Sequence, residues 1–215
     1  MKKVIITFIM LAAAITAANA QFFVEGSVGV SHHSDKLSSG AEDPLSRSWF
    51  SVSPQVGYWL NDDIAVGTRV SFDGSIAKNA LDDPNNPGQT IDRWMPRWEF
   101  SVFCRYKLWG TEKFSLLVDG SISAGTVSVK YRTTRETVSR TRSIGFSVHP
   151  AITYELTDRF SIIANLDFLR LGFISQTTEE MKTDIKLRQT RFNFSTQSAI
   201  FGRIGDIRIG FIYNF

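Results

Sequence analysis

Cysteine occurs once in the 215-residue chain, at Cys104. A lone thiol excludes an intramolecular disulfide and any zinc site built on cysteine. Its neighbours at two-residue spacing are Val102 and Tyr106, so Cys104 reads as a small inert hydrophobe on an apolar face. An excess of one charge sign is also missing: 24 lysines and arginines stand against 21 acidic residues, a formal net charge of +3. Removing Lys2 and Lys3 with the leader described below leaves 22 against 21, or +1. That balance gives no support to a general nucleic-acid role. Past residue 20, no stretch offers the ~18 uninterrupted apolar residues a membrane helix needs. Phosphate-cradling glycine motifs, nucleotide fingerprints and paired-carboxylate geometry are absent too. Asp82-Asp83-Pro84-Asn85-Asn86-Pro87 carries oxygen ligands suited to calcium but not the spacing of an EF-hand, and reads as a turn-rich loop. No metal, cofactor or catalytic centre is expected.

What is present begins with a secretory signal at residues 1–20. It has Lys2-Lys3, an apolar run from Val4 through Ala17, and the small-residue site Ala18-Asn19-Ala20 before Gln21. No cysteine follows that site, so lipoprotein anchoring is not expected. The mature chain, 21–215, is then exported as one domain, and any membrane crossing must be made with strands.

An internal repeat comes next. Ser51 to Asp62 aligns without gaps with Ser147 to Asp158, and the match continues through Ile64/Phe160, Val66/Ile162, Val70/Leu166 and Phe72/Phe168. Between them, Cys104-Arg105-Tyr106-Lys107-Leu108 followed by Phe114 repeats the same order of Tyr-x-Leu, short turn and apolar strand. All three hairpins alternate with period two. Phe50, Val52, Pro54, Val56 and Tyr58 oppose Ser51, Ser53, Gln55 and Gly57, and the last strand sets Ile207, Ile209, Phe211, Tyr213 and Phe215 against Arg208, Gly210 and Asn214, with Ile212 the exception.

A soluble sandwich also alternates. Two features point instead to lipid outside and polar residues inside. Turns on one side are short (Asn61 to Asp63, Trp109 to Lys113, Thr157 to Arg159), while the connections on the other are long (Ser31 to Arg47, Ala77 to Arg93, Val129 to Arg142, Gln176 to Gln189). Moreover Tyr58, Tyr106 and Tyr154 each lie two residues before a strand-ending Leu, and Tyr213 lies two before the chain end, as an interfacial aromatic girdle would require.

Strands are expected at 22–30, 48–60, 63–76, 94–108, 113–127, 142–156, 159–172 and 190–215. The last changes parity near Gly202 to Asp206, which reads as a β-bulge within one strand. A turn there, making nine strands, is the rival. Eight fits the even-number habit of single-chain bacterial barrels. Pro54 and Pro150 cost a ladder hydrogen bond each, and their equivalent places in the repeat imply a shared local irregularity.

Together these features resemble the small outer-membrane β-barrel domain family, the porin-family or opacity-like surface proteins akin to outer membrane protein X. The resemblance implies an all-β, eight-stranded antiparallel transmembrane barrel with short periplasmic turns and long extracellular loops. It also implies a monomer in the outer membrane among lipid and lipopolysaccharide. The terminal Tyr213-Asn214-Phe215 is similar to the closing-strand signal read by the barrel-assembly machinery. The family brings no shared catalytic residues, and a fold does not fix an activity.

Three functional candidates remain. Glu25, Arg69, Asp73, Glu99, Arg105, Asp119, His149, Glu155, Asp167 and Arg208 share the expected lumen face and mix both signs. An eight-strand interior is just filled by side chains, so mutual pairing in a packed polar core is expected over a narrow pore. His32-His33-Ser34-Asp35 is similar to the His-x-Ser-Asn string of lipid A deacylases but differs in its last residue and lies early in the chain, so lipid A acyl chemistry stands as an alternative. Lys130, Arg132, Arg135, Arg140 and Arg142 make the third long connection basic, suited to lipopolysaccharide phosphates or acidic glycans, or else simply a solvated hairpin. The expectation is a non-enzymatic barrel with a surface-interaction or envelope-integrity role.

Overall fold

The structure is a computed structural model and describes residues 21–35, 45–82, 90–166, 169–181, 186–195 and 207–215. The signal segment, the second-loop prolines and the expected bulge at Gly202 to Asp206 lie outside those residues. The strands are β1 (Phe22–Asp35), β2 (Leu45–Trp59), β3 (Ile64–Asp82), β4 (Thr90–Gly110), β5 (Phe114–Tyr131), β6 (Thr137–Thr157), β7 (Phe160–Leu166), β8 (Arg170–Glu180), β9 (Lys186–Ser195) and β10 (Ile207–Asn214). Every pairing is antiparallel.

These ten segments make eight staves. β7 and β8 lie end to end along the same neighbour, β6. β10 and β9 lie end to end along β7 and β8 in turn. β1 pairs with β2 on one side and β10 on the other, and β5 joins β4 to β6, so the sheet closes on itself.

Local sequence explains the tight ends. The Asn61 side-chain oxygen accepts from the backbone N–H of Asp63 and Ile64 at 2.9 and 2.8 Å. Thr111 accepts from Phe114 N–H and Thr157 from Phe160 N–H, each at 3.1 Å. A short polar side chain three residues before the next strand thus caps each hairpin of the repeat.

At the other end the strands outrun expectation. The wall continues through Asp35↔Leu45, Asp82↔Thr90, Lys130↔Thr137 and Glu179↔Lys186. Above a bilayer both faces of a strand meet water, so the apolar alternation that marks a membrane segment stops before the hydrogen-bonded ladder does. The third long connection shrinks to the turn at Arg132–Glu136, where Arg135 takes a left-handed φ of 61°.

The prolines fall at gaps in the ladders. β2 pairs with β3 at Val52↔Phe72 and again at Gln55↔Arg69, skipping Pro54 without a change of register. Pro150 lies between Val148↔Leu171 and Ala151↔Asn165, where the neighbouring stave spends six steps against three on β6. At Pro150 the missing N–H coincides with a slip of the neighbouring stave, whereas at Pro54 the register holds and the ladder is only interrupted. That surplus of three also inverts the faces: Ile162 and Ala164 point outward, and beyond the slip Leu171 and Phe173 do. A single strand 159–172 of constant parity was expected, so the slip and the extension to Glu180 correct it. Phe168, expected on the lipid face, lies outside the described residues.

Candidate functional site

Most of the described candidate charges fall in two regions, the interior and the outer wall. The interior begins with an apolar floor. Phe23, Ala65, Phe103, Leu117, Ala151, Ile163 and Ile212 are buried together, with Trp59 packed against them. The floor is possible because Gly57 and Gly67 face the rings: a Cβ at Gly57 would collide with Phe23, and one at Gly67 with Phe103. Phe23, Phe103, Leu117 and Ile163 occupy the polar parity and were not anticipated. Their one signal was a hydrophobe out of phase near the periplasmic end, the anomaly that Ile212 also shows.

Against this floor lies Arg105, with none of its side chain exposed. Its guanidinium sits 5.4 Å from the centre of the Phe23 ring and 5.6 Å from that of Phe103. It donates from Nε to Asp119 Oδ1 at 2.7 Å and from Nη2 to Oδ2 at 2.9 Å, a two-pronged contact between ladder partners. Its remaining nitrogen lies 2.9 Å from Glu25. Arg69 completes the cluster, donating to Asp119 at 3.2 Å and to Gln55. Two arginines therefore face two carboxylates in a space sealed by side chains.

The other lumen candidates divide. His149 is fully buried and is the ladder partner of Asp119. Arg208 donates to Ser53 at 3.2 Å. Higher up, Asp73 and Glu99 both contact Arg97, the Asp73 contact at 3.8 Å. Arg97 was not singled out, although its odd number places it on the same face as Glu99. Glu155 stands apart: it is exposed beside the periplasmic turn, where strand alternation no longer reports burial. Asp167 lies outside the described residues.

The exterior is apolar over a continuous band. Val28, Val52, Val56, Val70, Phe100, Val102, Ile122, Phe146, Ile152, Ile209 and Phe211 are all exposed, and Cys104 is exposed among them. A soluble monomer does not present such a surface to water. One rim carries Tyr58 edge-on to Phe22, Tyr154 against Phe114, and Tyr213 edge-on to Phe215 at 5.0 Å. The terminal Phe215 N–H donates to Phe22 O at 3.0 Å, tying the chain end to the first strand. The opposite rim has an aromatic group that was not anticipated, Phe50, Phe72, Trp94 and Trp98.

Above that second rim the five candidate basic residues separate. Arg132 is paired with Asp92 at 3.0 Å, and Arg135 sits in the hairpin turn. Lys130, Arg140 and Arg142 instead share the parity of the apolar exterior, since Ile122 and Ala124 precede Lys130 on β5 and Ile144 and Phe146 follow Arg142 on β6. Facing the mouth, Arg93 is held below the usual guanidinium range, first by burial and then by Arg47. His32, at the outer end of β1, lies 2.9 Å from the hydroxyl of Ser48, its own ladder partner. The side chains of His33, Ser34 and Asp35 lie outside those described.

No family model matches the chain, and no curated protein matches it by sequence. The expected likeness to small outer-membrane barrels is found among solved structures. Neisserial surface protein A is 17% identical with a TM-score of 0.45, over 90% of this chain and 97% of that one. A major outer membrane protein from Thermus thermophilus is 15% identical with a TM-score of 0.46, over 92% and 100%. Ail, the attachment invasion locus protein of Yersinia pestis, is 14% identical with a TM-score of 0.37, over 91% and 97%.

Proposed function

We propose that this protein is a non-enzymatic, monomeric barrel of the outer membrane, closed to solutes and serving surface interaction or envelope integrity through the wall that stands outside the bilayer. The observation that carries the reading is the inversion of a soluble core. The exposed side is the greasy one, and the ions are packed inside around Arg105 with their charges matched. A matched and filled interior favours a stopper over a conduit. Contact between His32 and Ser48 is what neighbouring strands make of two polar residues, which favours a structural role for the His-Ser string. The partners in this reading are outer-leaflet lipid and anionic surface polymers, met by the outer basic residues.

The test is membrane fractionation of cells expressing the full chain, followed by gel migration with and without boiling, and mass analysis of lipid A. Recovery in the outer membrane, a boiling-dependent shift and unchanged lipid A masses are expected. A processed chain that stays soluble without detergent would overturn the membrane reading, and shifted lipid A masses abolished by Ser34→Ala would overturn the non-enzymatic one.

A further inference from the structure

Among the described residues, one sector of the outer wall has lipid-facing rows that end in cations. On β5, β6, β8 and β9 they give way to Lys130, Arg140, Arg142, Lys186 and Arg188, all on the outward parity. Among the described residues of these strands, one carboxylate shares that parity. It is Glu179, 3.8 Å from Arg142 and 3.7 Å from Lys186. Formal charge on this face is thus strongly positive while Arg142 and Lys186 remain mostly exposed.

A groove leads into this sector. Its upper part, about 500 Å³, is lined by Ala124, Thr126, Ser128, Arg140 and Arg142. Its lower part shares Ala124 and Thr126 and is walled by Val70, Trp98 and Phe100. One depression therefore runs from apolar exterior to a pair of guanidiniums across the level where hydrocarbon stops. An occupant must be greasy at one end and anionic at the other. The cations extend from β5 to β9, three strand spacings or about 14 Å, a width that suits two phosphates on one headgroup better than the single phosphate of a diacyl lipid.

We infer that this groove holds a phosphorylated, acylated glycolipid of the outer leaflet, with an acyl chain along Trp98, Phe100 and Ala124 and a phosphate on Arg140 and Arg142. The inference rests on the membrane reading above and specifies its lipid partner. The purified, detergent-folded protein is titrated with bisphosphorylated lipid A, monophosphorylated lipid A or phosphatidylglycerol, and bound lipid is counted by native mass spectrometry. Bisphosphorylated lipid A is expected to bind best. Arg140→Gln with Arg142→Gln is expected to weaken it by about tenfold, while Arg132→Gln with Arg135→Gln, an equal loss of charge at the hairpin tip, changes it less than about twofold.

Boiling-dependent gel migration verifies that each variant is folded. Should the wall pair of substitutions not fold, Ala124→Phe, which fills the groove and keeps every charge, is expected to give the same loss. Equal weakening by tip and wall variants, or phosphatidylglycerol binding as tightly as lipid A, overturns the proposal although the barrel itself stands. A chain that never acquires the heat-sensitive mobility overturns the membrane reading instead.

Discussion

Arg105 shows how one residue decides what an interior can be. Its charge is tolerated without exposure because Asp119 takes two of its hydrogen bonds, Glu25 balances the rest, and two aromatic rings support its plane. Removing one member of such a buried set leaves its partners uncompensated. Arg105→Met, which keeps the bulk and removes the charge, is expected to lower stability by about 3–5 kcal/mol, measured by denaturant unfolding from lipid vesicles. Adding Glu25→Gln to Arg105→Met is expected to restore much of it, because Asp119 still faces Arg69 and no charge is then stranded. A loss below about 1 kcal/mol for Arg105→Met alone would mean that water reaches the cluster. The parity of Arg69, Arg105 and Asp119 was legible in the sequence, but the identity of their mutual partners was not. Parity assigns a face, whereas partnership across the barrel depends on the stagger between staves, which no local pattern records.

At the scale of the strand, the repeat carried most of the information. Alternation from Phe50 to Phe72 and its copies located the hairpins, and Asn61, Thr111 and Thr157 located their turns. Depth along a strand should matter as sharply as parity. On β4 the exposed row runs from Trp98 to Leu108, with Val102 near its middle. Val102→Arg is expected to cost about 2–4 kcal/mol of folding free energy in vesicles, and Leu108→Arg, at the rim, about 0–1. Equal costs at the two positions would remove the bilayer from the explanation. The hidden feature at this scale was the slip between Leu166 and Arg170. It inverts the faces of the seventh stave, but Phe160, Ile162 and Leu166 do not announce it, because a run of hydrophobes on one phase looks complete in itself. Pro150 was the available clue, since a proline interrupts the ladder where the neighbouring stave slips, although Pro54 interrupts its own ladder with no slip.

For the whole molecule, the proposal of a closed barrel, resting on an interior filled from Phe23 to Arg105, calls for no continuous water column. Reconstituted into planar bilayers, the protein is expected to give no stable conductance steps above the bare membrane. Long-lived uniform steps would show that the floor of Phe23, Phe103 and Leu117 is not a seal. Closure and strand number were legible because short and long connections alternate and the two ends of the chain carry compatible strands. The height of the wall was not. β5 has 18 residues, about 45 Å along the barrel axis at a tilt near 40°, whereas an apolar band of this kind spans about 25 Å. A collar of roughly 20 Å is left standing clear of the hydrocarbon.

That collar changes what an antibody or a bacteriophage would meet at the cell surface. Its footprint would be pleated backbone with side chains contributed by several staves at once, so recognition would be conformational, and sera raised against boiled protein or against peptides copied from single strands would miss the native form.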